Sequence, residues 1–377
     1  MIKRLLVAVA ALGFLGLLAI LNELYRPYQG YSGGVLVVVD LGTRAHAVAE
    51  RLVAEGVLPH RLPFLVRYWV SRPSRTLKAG EYRFDRPLRP IDVYWKLVQG
   101  ETLLYSVVIP EGADRFDMAR IFSENFGIKR EDFLRVTEQA SAIHDLDPAA
   151  PSLEGYLFPD TYRFSRGVSS ATLVATMLAR FRRILETRFP AELRQDSGRL
   201  HEVITLASMV EKETSLSDER PIIAGVFAKR LERGWLLQCD PTVVYAGRLN
   251  ERPVNTILQS DLEFDSPYNT YAHAGLPPGP ISSPGEASMR AALDPADGDF
   301  LYFVSNHQGG HVFSKTLAEH QRNVARYRRQ VAALRRVQRE EAKQSARPGS
   351  SRRRGETDTT SSSREGGKQS QQKATDP

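Results

Sequence analysis

The chain has 377 residues, 42% of them apolar and 25% charged, which places it among ordinary globular proteins with material for one large or two moderate domains. Its single cysteine, Cys239, excludes an intramolecular disulfide and any metal site built on a cysteine cluster, and reads as a packed small hydrophobe. The formal charge of +7 would suit an anionic partner, yet much of the excess lies at the C-terminus, without the aromatic residues that stack on nucleic acid bases.

Lys3 and Arg4 precede an uncharged run from Leu5 to Leu21, which Asn22 and Glu23 end. Its length is near the short limit of the about 17 to 25 residues that span a bilayer core. No small-x-small cleavage site follows, so residues 5–24 are expected to be an uncleaved anchor, with a cytoplasmic stub at 1–4 by the positive-inside rule. Everything past residue 25 then faces the cell exterior or periplasm, which removes nucleotides and DNA from the substrates. Residues 25–34 read as a turn-rich linker.

Beyond the linker the sequence repeats itself. VLVVVDLGTRAHAVAERLVAEGVLPHRLPFL (35–65) aligns with YSVVIPEGADRFDMARIFSENFGIKREDFL (105–134): a strand, a Gly turn, a helix with a Gly stop and a second helix. Each copy leads to a strand carrying Tyr-Arg-Phe, at 82–84 and 162–164, and then to a further helix. Two small α+β modules in tandem are expected, and only the second has an insertion, HDLDPAAPSLEGYLFPD (144–160).

From Leu200 the pattern turns to long helices, HEVITLASMVEKET and then DERPIIAGVFAKRLERG. WLLQCDPTVVYAG (235–247) reads as two strand-like runs around Asp240-Pro241, and a turn-rich stretch follows at 265–288. A short helix, a hairpin and a closing helix complete the fold, and residues 335–377 read as a disordered basic tail, too poor in apolar groups to offset ordering entropy.

Val203, Leu206, Val210 and Glu213 recur at spacings of three and four, so Glu213 inherits the buried stripe of its helix. A desolvated carboxyl holds its proton near neutral pH, as a general acid on a glycosidic oxygen must; an ion pair or a helix cap would account for the same pattern, and periodicity leaves both readings open. Glu211 and Lys212 read as a solvated face. Tyr268, Asn269, Thr270 and Tyr271 offer the ring faces, amide and hydroxyls that suit a sugar, although a structural turn is the plainer reading of that loop. His201-Glu202 opens like a zinc-protease motif, but Thr205 stands where the second histidine is required, and His273, His307 and His311 lack ligand spacing. No metal or cofactor is expected.

Taken together, LEGYLFPDTYRF (153–164), ASMVEKETS (207–215), LQCDPTVVYA (237–246), SPYNTYAHAGLPPGPISSPG (266–285) and LYFVSNHQGGHVFS (301–314) closely resemble the YceG-like family of endolytic murein transglycosylases. The resemblance implies an α+β protein with one membrane helix, a small LysM-like module at 35–104 and a larger catalytic domain at 105–334. It makes Glu213 the catalytic acid and base of a non-hydrolytic cleavage of peptidoglycan between N-acetylmuramic acid and N-acetylglucosamine. Thr214, Gln238, Asn269, Tyr271 and Glu154 are the candidates for holding sugar. Glycan strands and the inner membrane are the implied partners, peptidoglycan synthases are candidate ones, and nucleic acid is not. A wall-binding scaffold without activity is the competing reading. A true muramidase is a third, needing a second carboxylate among Asp160, Glu154 and Asp240.

Overall fold

A computed structural model describes residues 2–40, 42–71 and 76–345. Helix α1 (Ile2–Tyr25) is long and apolar enough to cross a membrane, and none of its apolar window is buried in the protein. Only its end engages the fold, through the buried Leu24. The following segment, read as a turn-rich linker, is fastened to the first module. Tyr28 exchanges backbone hydrogen bonds with Leu88, and the Gly30 N–H donates to the Gly56 carbonyl at 2.8 Å. Gly56 has a φ of +71°, and a Cβ there would lie 2.8 Å from the Gly30 backbone, so the contact requires glycine.

The first module runs β1 (Val35–Val39), α2 (Ala45–Ala54), α3 (Arg61–Ser71), β2 (Gly80–Phe84) and α4 (Pro90–Gln99), with β1 and β2 antiparallel. The second runs β3 (Tyr105–Val108), α5 (Arg115–Phe126), α6 (Arg130–Glu138), β4 (Thr161–Phe164) and α7 (Ser170–Arg188), with β3 and β4 antiparallel. The repeat extends to side chains. Tyr82 faces Val37 across one ladder and Tyr162 faces Val107 across the other. Each phenol O–H donates to the carbonyl four residues earlier, Lys78 at 2.7 Å and Phe158 at 2.6 Å. Each module has its own apolar cluster, around Leu52, Phe64 and Leu97 in the first and around Phe122, Phe133 and Phe181 in the second.

The second cluster extends over helices that have no counterpart in the first module: α8 (Ala191–Gln195), α9 (Ser197–Glu213), α10 (Arg220–Glu232), α11 (Asp240–Leu249) and α13 (Glu286–Leu293), with the short α12 (Gln259–Leu262) between the last two. A hairpin of β5 (Tyr302–Ser305) and β6 (His311–Ser314) precedes α14 (Leu317–Ser345). Helix α9 is the centre of this layer, buried at Leu200 and at every position from Val203 to Val210, and it packs on α8, α10, α11 and α13.

Two expectations change. Residues 240–249 form a helix, not strands: Asp240 and Pro241 open it, where a carboxylate meets the helix dipole and proline lacks only an N–H that needs no partner. The β-branched pair Val243 and Val244 had suggested strand. The closing helix continues to Ser345, past the expected start of the tail at 335, and the rest of that tail lies outside the described residues.

Because Tyr162 is buried and its O–H is spent on Phe158, Tyr162→Phe leaves a carbonyl without its donor. Urea unfolding should register a loss of about 1 kcal/mol with an unchanged m-value.

Candidate active site

Glu213 is the last residue of α9, and its carboxyl reaches the segment Cys239-Asp240 that starts α11. Val203, Leu206 and Val210 on the same stripe are buried, as the spacing predicts. Burial pushes the Glu213 pKa up to about 7, and the Asp240 charge adds to that rise. A hydrogen bond from the Cys239 thiol and the charges of His311 and Arg230 pull in the other direction without cancelling it. The residue as a whole is half-buried, although the carboxyl itself is withdrawn from water.

Glu211 is not on a solvated face. Its side chain is 5% exposed, pairs with Arg220 Nη2 at 3.3 Å and accepts the Gly285 N–H at 2.9 Å. The turn ahead of α5, the start of α10 and the loop ahead of α13 cover Glu211 at this level, so an amphipathic reading gave it an exterior that it does not have. Lys212 alone keeps the solvated position, donating to the Gly112 carbonyl at 3.1 Å. These bonds tie the end of α9 to the turn ahead of α5 and to the loop ahead of α13.

The turn-rich loop is held against the same place. The Gln238 N–H donates to the Thr270 carbonyl at 3.1 Å, and Thr270 Oγ1 accepts the Cys239 N–H at 3.0 Å. Tyr271 donates its phenol O–H to Asp240 Oδ1 at 2.6 Å; burial and then that bond drive its pKa far up, with the Glu213 charge contributing. Glu213, Asp240 and Tyr271 therefore form one group. Gln238 lies beside it, exposed and with a φ of 51°, a left-handed conformation that non-glycine residues seldom adopt. Arg230 fixes the approach from behind, donating to the carbonyls of Leu237 at 2.6 Å and Leu301 at 2.8 Å.

Three of the candidate sugar-binding residues have other work. Asn269 is fully buried; its amide donates to the carbonyls of Leu262 and Phe264 at 3.0 and 2.8 Å, and its oxygen accepts the Tyr271 N–H at 3.0 Å. It shapes the loop and offers nothing to a ligand. Thr214 is buried, donates to Glu219 Oε2 at 3.0 Å and accepts the Leu216 N–H at 3.1 Å.

Glu154 is 1% exposed, and its Oε2 accepts from the Arg115 N–H at 3.0 Å and the Tyr245 hydroxyl at 3.1 Å. Burial and the Asp114 charge raise its pKa, which makes it a neutral member of an inner cluster. Of the carboxylates a muramidase would require, Asp160 is taken by Arg180 at 2.6 Å and Glu154 is enclosed, whereas Asp240 adjoins Glu213. The insertion at 144–160 supports α9 from below: Asp147 pairs with His201 at 2.7 Å and accepts the Tyr156 hydroxyl.

Sequence reasoning missed Cys239 and Arg230 around Glu213, and also His311 on β6. Periodicity could not find them, because they come from three separate elements.

Comparison with known proteins gives one consistent result. Residues 37–326 match the model of the YceG-like family. The chain is 31% identical over 311 residues to a Bacillus subtilis protein named endolytic murein transglycosylase, covering 78% of this chain and 84% of that one. A protein of the same name from Streptococcus pneumoniae is 29% identical over 322 residues, 78% of this chain and 58% of its own length. Among solved structures, a yceG-like protein of Listeria monocytogenes superposes with a TM-score of 0.52 at 32% identity, covering 77% of this chain and 99% of that one.

The raised pKa of Glu213 has a consequence for stability. The folded chain binds this proton up to about pH 7, while an unfolded carboxyl releases it near 4.5, so stability falls as pH rises between those values and the full penalty is present above 7. Glu213→Gln removes the penalty. Denaturation should find the variant more stable than wild type by on the order of 1–3 kcal/mol at pH 8, and no different at pH 4.

Proposed function

The chain belongs to the YceG-like family, and on that premise we propose that it is a membrane-anchored lytic transglycosylase that cuts within glycan strands of peptidoglycan. The observation that carries the proposal is the Glu213 carboxyl at the end of α9, its pKa pushed up to about 7 by burial, beside the hydrogen-bonded pair Asp240 and Tyr271. The bond cleaved is the β-1,4 link from N-acetylmuramic acid to N-acetylglucosamine.

Glu213 donates its proton to the glycosidic oxygen as the bond from C1 of the muramyl sugar breaks. The positive charge that develops at that sugar is met by Asp240, and the muramyl acetamido group assists by internal attack. The muramyl C6 hydroxyl then closes on C1, and its proton passes to the Glu213 carboxylate. The product has a 1,6-anhydro end, and Glu213 is protonated again. Because the nucleophile belongs to the substrate, no activated water is consumed and one residue serves both transfers.

Gln238 and Tyr271 flank the bond and orient sugar. The first module is a LysM-like glycan-holding unit. Lys3 and Arg4 keep the N-terminus cytoplasmic, which puts the site in the periplasm close to the inner membrane, where cleavage of nascent strands limits glycan length. Synthases of those strands are the natural partners. A scaffold without activity has no use for a carboxyl kept neutral at a cost in stability.

Mass spectrometry of the products from uncrosslinked glycan strands tests this reading. Wild type should give anhydro-ended fragments, and Glu213→Gln should lose at least about 10²–10⁴-fold in rate. The rate should decline as pH rises through about 7, where the acid loses its proton. Ends heavier by one water would indicate a muramidase using Asp240, and no cleavage by wild type would leave a binding scaffold.

A further inference from the structure

One ion pair beside the site has no part in the chemistry above. Glu219, immediately ahead of α10, does not cap its own helix; its carboxylate crosses to β6. It accepts the backbone N–H of His311 at 2.8 Å and pairs with the ring Nδ1 of His311 at 2.7 Å. The hydroxyl of Thr214 donates to the same Oε2 at 3.0 Å, and Thr214 directly follows Glu213. One carboxylate thus joins the end of the catalytic helix to the hairpin.

The pair is largely withdrawn from water, with His311 12% and Glu219 14% exposed. The backbone makes room for it: a Cβ on Gly310 would lie 2.7 Å from Glu219 Oε1. Phe303 and Phe313 border the imidazole, with ring centroids 5.3 and 6.3 Å away. With Nδ1 engaged, Nε2 has no hydrogen-bond partner among the described residues.

The groups that act on Glu213 are Cys239, Asp240, His311 and Arg230, and the Glu213 charge in turn acts on Tyr271. Arg230 is occupied by two backbone carbonyls and Tyr271 by Asp240, which leaves His311 as the group with a ring nitrogen to spare. Its charge lowers the pKa of Glu213 against the burial that raises it.

We propose that His311, held by Glu219, is a positioning residue for Glu213: its imidazolium stabilises the carboxylate that Glu213 becomes between giving up its first proton and collecting the second. The inference rests on the lytic reading of the site. The balance between burial and this cation keeps the acid from binding its proton too tightly to donate it. No proton leaves His311 in the cycle; Nδ1 remains on Glu219, and the ring acts by charge alone.

The test is the pH dependence of kcat for the full chain in detergent, comparing wild type, His311→Gln and Glu219→Gln on uncrosslinked strands. Loss of the cation should move the alkaline limb upward, so the ratio of His311→Gln to wild-type rate should climb several-fold between about pH 6 and about pH 8. Glu219→Gln should move it the same way by less, and it carries the comparison if His311→Gln does not fold.

A ratio constant with pH would mean a structural role only and overturn the proposal. A limb moved to lower pH would overturn it too, since the ring would then be a neutral acceptor for the Glu213 proton. Carbon-13 titration of Glu213 in the same proteins makes the comparison without turnover. Absence of anhydro product from wild type would therefore remove the lytic reading, while the effect of His311 on Glu213 is still decided.

Discussion

A carboxyl group at the C-terminal end of a buried helix is disfavoured twice when ionised: burial removes its water, and the carbonyl end of the helix dipole is already negative. Glu213 occupies that position on α9, and the architecture around it keeps the penalty in place. Two nearby glutamates are handled differently. Glu211 is neutralised by Arg220 and the Gly285 N–H, and Glu219 is matched to His311. Of these three glutamates Glu213 is the one without a salt-bridge partner among the described residues, which is the difference between a structural carboxylate and one available to donate a proton.

The repeat explains how the support for this group was assembled. Both modules build the same antiparallel ladder, with a tyrosine bonded back to the carbonyl four residues earlier, so the scaffold itself does not distinguish them. The second module differs by what is added. Its insertion brings Asp147 and Tyr156 under the first half of α9, and its later helices enclose the second half. The loop that carries Tyr271 is then fixed by Thr270 to the start of α11, so the acid and the tyrosine are held by one set of backbone bonds. Asn269 contributes by shaping that loop.

The fold was largely legible because its signals are local. Strand, Gly stop and Tyr-Arg-Phe recur with the same spacing, and the period of the helix put Glu213 on its buried stripe. The readings that failed share a cause, which is that they needed to know what lies across the chain. Glu211 reads as solvated only if the last turns of α9 have a free face there, and every position from Val203 to Val210 is buried. Asn269 and Thr214 have polar groups suited to sugar, but their partners at Phe264 and Glu219 are set by tertiary folding. Val243 and Val244 favour strand, and the Asp240-Pro241 helix start overrides them. His311 was invisible because it is recruited from a hairpin 92 residues beyond Glu219.

The central claim is that burial keeps Glu213 protonated near neutral pH, and a carbon-13 titration of its side-chain carboxyl in the wild-type chain measures this directly. The account predicts a midpoint near 7. A midpoint near 4.5, the value of a carboxyl in water, would contradict it and leave the site without its acid.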